Sequence, residues 1–99
     1  MMERRHCKAI IEWDKDKDTS KFPLNEWLRD IVVIFGEVVG KVIHGDVWTV
    51  LVRVTEVVDD SHTYADVAFI VDGAPWHLLE PGFSFKLWAG REIAAVTIL

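Results

Sequence analysis

The stretch Glu80-Pro81-Gly82-Phe83-Ser84-Phe85-Lys86-Leu87-Trp88 constrains the fold more than any other part of this chain. Pro81 presets φ for the first central position of a turn and Gly82 accepts positive φ at the second, which predicts a type II turn. A strand leaves that turn. Phe83, Phe85 and Leu87 alternate with Ser84, Lys86 and Trp88, the period of a half-buried strand. Ala89-Gly90-Arg91 then breaks the run and an apolar segment returns from Ile93 to Leu99. The pattern predicts a closing hairpin whose apolar end is tied into the sheet.

The same alternation recurs upstream. In His6–Trp13, Cys7, Ala9, Ile11 and Trp13 share one face. In Val47–Val57, Trp48, Val50, Val52 and Val54 face one way and Thr49, Arg53 and Thr55 the other. In Thr63–Val71, Ala65, Val67, Phe69 and Val71 oppose Tyr64, Asp66 and Ala68. Ile31–Phe35 is dense in β-branched residues and reads as a strand, preceded by at most one helical turn near residues 24–29. Gly36 and Gly40 bracket Glu37-Val38-Val39, and Lys41–His44 reads as further extended chain. His44-Gly45-Asp46 and Asp59–His62 read as turns, and Trp76–Leu79 as a short irregular or 3₁₀ passage after the break at Asp72–Pro75.

Six or seven short strands without a sustained helical period predict one all-β domain over residues 1–99. Closure into a barrel is preferred, because open edges rich in Val, Ile and Trp would be sticky. Ninety-nine residues, 51% of them apolar, suffice for one core without staples. A lone cysteine, Cys7, excludes an internal disulfide and suits a reducing, cytoplasmic setting. No signal peptide is expected from Met1–His6, which a mixed rather than an apolar segment follows. The longest apolar run, Ile31–Phe35, is far short of the roughly 20 residues that span a bilayer, so no membrane role is expected. Sixteen acids against 11 bases give a net charge of −5, which disfavours nucleic acid; it suits a basic protein partner, though keeping a small protein soluble is the plainer reading.

The search for chemistry returns little. The four histidines and Cys7 show no ligand-pair spacing. Asp14-Lys15-Asp16-Lys17-Asp18 opens like a calcium loop, yet Thr19 and Asn25 stand where that loop needs glycine and a bidentate glutamate. No phosphate loop, nucleophile elbow or dinucleotide fingerprint occurs. No catalytic residue, metal ligand or cofactor is therefore expected, and the protein reads as non-enzymatic. Trp13 and Trp48 fall on core faces. Trp76, His77, Trp88 and Arg91 form the candidate binding patch, since exposed tryptophan and arginine anchor protein interfaces. The alternative arrangement folds Trp76 over the barrel end as a plug and packs Trp88 under the N-terminal segment.

Residues 79–96, with Pro81-Gly82, the Phe83–Trp88 strand, Ala89-Gly90-Arg91 and the apolar strand beyond, resemble the end of the C-terminal β-barrel domain of elongation factor Tu. Ala89 stands where that family has the first glycine of glycine-glycine-arginine, and Ala94-Ala95-Val96 where it has glycine-alanine-glycine. The resemblance implies a six-stranded antiparallel Greek-key barrel that performs no chemistry and offers a surface to RNA or protein. A small cytosolic bacterial module docking a macromolecular partner is the leading expectation, with a translation role implied by the resemblance and RNA disfavoured by net charge. An acidic immunity-type protein that neutralises a basic toxin, and a small-molecule-binding or enzymatic barrel, are the alternatives. Nothing in the sequence sets the oligomeric state.

Overall fold

Alternating strands of this length cannot bury their apolar faces singly, and here six of them close into a ring. The computed structural model describes residues 5–40 and 42–99, the side chains of residues 37 and 38 excepted. The strands are β1 (Cys7–Trp13), β2 (Trp27–Val39), β3 (Val42–Val57), β4 (His62–Phe69), β5 (Ser84–Trp88) and β6 (Glu92–Ile98). They form a closed barrel in the order β1-β4-β3-β2-β5-β6, antiparallel at every pairing. β2, β3 and β4 follow one another through hairpins while β1 lies beside β4, a Greek-key order.

Every strand sends alternate residues inward. Ile11, Val33, Val50, Val52, Val54, Val67, Leu87 and Val96 are almost wholly enclosed, so side chains fill the interior as expected for so few strands. Trp13 closes one end, donating its Nε1–H to Thr63 Oγ1 at 2.9 Å. The tail behaves as its pattern requires. Phe83 N–H closes the turn onto Glu80 O at 2.9 Å with Gly82 at φ +90°, and Leu99 N–H reaches Lys8 O on β1.

The helical turn lies at Thr19–Lys21 rather than near residues 24–29. Asp18 caps it by accepting from Ser20 N–H, whereas Asn25 takes φ +63° and donates its N–H to Val54 O, drawing that segment into a turn at the head of β2. β4 ends at Phe69, which leaves Val71 exposed, and Asp66 and Ala68 on its outer face are buried together with the inner face.

The largest departure concerns His44-Gly45-Asp46, which is not a turn but part of β3. Gly45 pairs directly with Gly36, and the chain reverses at Gly40, φ +61°. The two glycines lie so close that a Cβ on Gly36 would sit 2.0 Å from His44 O, and one on Gly45 2.2 Å from Phe35 O. The local glycine composition therefore serves a close crossing of strands. As a result β2 and β3 run on beyond the ring as a two-stranded arm, paired from Ile34–Val47 to Val39–Val42. The readings made for Met1–Arg4 and Lys41 lie outside the described residues.

Candidate functional site

The four residues of the predicted patch divide between the two ends of the barrel. Trp76 sits in a 3₁₀ turn, Trp76–Leu78, on the end of β4, with its ring perpendicular to Phe69 at 5.3 Å. It is only 8% exposed, donates Nε1–H to Val71 O and carries the Arg5 guanidinium over its ring at 4.5 Å. This is the plug arrangement. His77 beside it is exposed.

Trp88 and Arg91 belong to the β5–β6 hairpin at the other end, where β1 finishes. Trp88 is half-buried, and its Nε1 is buried without a hydrogen-bond partner among the described residues. Arg91 Nη1 and Nη2 donate to Asp14 and Asp16, respectively. The pairing lowers the Asp14 pKa, chiefly through the Arg91 hydrogen bond, and raises that of Arg91. Arg91 thus clamps the loop that opens like a calcium site.

Other titratable groups are similarly committed. Asp59 accepts from Ser61 N–H and from His62, which hold its carboxyl down at about 2, while Asp59 and Glu12 raise the His62 pKa. On the outer wall, Arg53 Nε and Nη2 donate to Asp66 Oδ2 at 2.9 and 2.6 Å, and the guanidinium stacks on Trp27 at 4.4 Å. His6 Nε2 lies 3.7 Å from Asp66 Oδ1. Cys7 is half-buried, and desolvation pushes its thiol upward, away from nucleophilic character. Among the described residues no group of three or more His, Cys, Asp or Glu is arranged to hold a metal ion, and no helix is long and apolar enough to cross a membrane.

The feature with the clearest capacity to bind is the seam between β2 and β5. Among the described residues only Val32–Trp88 and Val33–Leu87 join these strands, because β2 then veers into the arm. Below those pairs a groove of about 380 Å³ opens, bordered by Ile34, Phe35 and Gly36 on one side and Phe83, Phe85 and Lys86 on the other. Phe35 lies at 5.9 Å from both Phe83 and Phe85 and 6.3 Å from Phe69, giving the groove an aromatic floor. Phe83 O accepts from Ile98 N–H on the β6 side. By the alternation of an antiparallel ladder, the N–H and C=O of Ser84 and Lys86 point the other way, into the seam.

The sequence shows Phe83–Trp88 as an alternating strand, and alternation carries no sign of where its pairing with β2 stops. The one available signal was the run of three glycines, Gly36, Gly40 and Gly45, two of which pair across a hairpin that turns at the third. Comparison with protein-family models, characterised protein sequences and solved structures finds no match to this chain.

Proposed function

We propose that this protein is a non-enzymatic binding module that takes up an extended segment of a protein partner along the seam between β2 and β5. One observation carries the reading: the barrel is zipped there by two residue pairs only, which leaves strand-edge groups of β5 facing a groove floored by phenylalanine. Main-chain hydrogen bonds to such an edge supply affinity, and alternate side chains of the incoming strand enter the pocket. Net charge −5 favours a basic partner. The likeness of residues 79–96 to the C-terminal barrel of elongation factor Tu supports a binding scaffold without chemistry of its own, and the same likeness makes a Greek-key ancestor the proposed origin of the fold.

The test is a library of extended peptides panned against the purified protein, followed by amide exchange on the selected complexes. Protection concentrated at residues 34–36, 84 and 86 is expected. Ser84→Pro removes one seam-facing donor while leaving the β5–β6 ladder its own bonds, and should weaken binding about tenfold, the scale of one lost hydrogen bond. Peptides that bind elsewhere, or that bind Ser84→Pro equally well, would sink the proposal.

A further inference from the structure

The other edge of the arm has a different character. β3 pairs with β4 only from Val50–Phe69 onward, with Ile70 N–H adding a bond to Thr49 O, so, among the described residues, 42–48 have β2 on one side and no strand on the other. Since Thr49 O points toward β4, the ladder alternation directs the N–H and C=O of Ile43, Gly45 and Val47 to the same open edge. Val42, Ile43 and Val47 on that edge are 57%, 47% and 46% exposed, and the neighbouring Ile70 and Val71 are exposed as well. Long, apolar, unpaired edges of this kind template further strand pairing.

The sequence of the edge is chemically palindromic about Gly45. His44 mirrors Asp46, Ile43 mirrors Val47, and Val42 mirrors Trp48. We infer that two copies of this chain associate through β3, edge to edge and antiparallel, on a two-fold axis passing between their Gly45 residues. In that register Gly45 meets Gly45 of the second copy and Ile43 meets Val47 of the second copy, each as a hydrogen-bonded pair. His44 then stands opposite Asp46 of the second copy, twice, in the closer non-hydrogen-bonded position, where an imidazole N–H can donate to a carboxylate. Phase, hydrogen bonding and apolar character agree on one register.

Association on this edge leaves the β2–β5 seam on the opposite side of the arm free.

Sedimentation equilibrium up to roughly 200 µM, a range that reports even weak dimers, tests the inference. The wild type should approach twice 11.3 kDa. His44→Glu alone sets Glu opposite Asp46, a like-charge pair made twice, and Asp46→Lys alone removes the carboxylate that faces His44; each should weaken the dimer about tenfold. The double variant His44→Glu/Asp46→Lys sets Glu opposite Lys and should recover the dimer. All these positions are exposed, and thermal melts confirm that each variant is folded. A monomeric wild type, a dimer that neither single variant weakens, or a double variant no stronger than the singles would each overturn the two-fold β3 register.

Discussion

Trp76 illustrates how a residue's surroundings decide its role. In the sequence it stands in a loop beside His77, the profile of an exposed anchor, but in the barrel it covers Phe69 and its indole nitrogen is bonded to Val71 O. Trp76→Ala should therefore cost about 3–5 kcal/mol, as truncating a buried aromatic does, read as a lower urea midpoint at unchanged slope. An anchor with no structural part would stay within roughly 0.5 kcal/mol. The Asp59–His62 contact supplies a titration test at the same scale. Its carboxylate stabilises the imidazolium, so the His62 resonance should titrate above the usual 6.5 and move down in Asp59→Asn. The sign for stability follows: the His62 contribution is present below pH 6.5 and is lost as pH rises through its raised value. The Asp59 contribution is present above 3.8 and is lost as pH falls toward about 2. Asp59 is exposed and His62 half-exposed, so solvent screens the pair, the pH effect on folding is small and NMR titration is the sensitive readout.

At the scale of elements, the arm and the ring obey different rules. Ring strands are fixed by burial, because slipping one by a single residue would turn Val50, Val52 and Val54 out to water. The arm has no such anchor beyond Ile34 and Val47; a two-stranded hairpin is marginal alone, so its geometry depends on the glycine crossing. Gly36→Ala puts a methyl at φ +152° against His44 O. It should cost the arm about 1–3 kcal/mol, seen as amide exchange accelerated roughly 10- to 100-fold over residues 37–44, while amides of Val52 and Val67 keep their protection. Equal acceleration in the ring would show that arm and barrel unfold as one unit.

For the whole molecule, the barrel should fold without its arm. Phe35 and Asp46 are paired across the strands, so replacing residues 36–45 with Asn-Gly supplies the two-residue type I′ turn that such a pair accepts. The shortened chain should melt cooperatively within a few degrees of wild type by calorimetry, because its core residues are untouched. A non-cooperative melt would show that the arm contributes to the ring. On the outer wall, Asp66 is held by Arg53 and approached by His6, a buried ion pair that fixes how β1, β3 and β4 meet rather than adding much net stability.

Sequence alone determined the strands that carry the ring. The inward faces of β1, β3 and β5, the turn at Pro81-Gly82 and the docked C-terminal strand were all readable, because a period of two and a proline-glycine turn are local properties of the chain. What local pattern does not contain is which strand lies beside which, and where pairing stops. Gly45 looked like a turn residue because glycine between histidine and aspartate permits one; only the opposing Gly36 made it a strand crossing. Trp88 and Arg91 looked available because their partners, Val32 and the Asp14–Asp16 loop, are far away in sequence. The open seam and the free β3 edge arise where a neighbouring strand leaves or ends, so they exist only once the ring has closed.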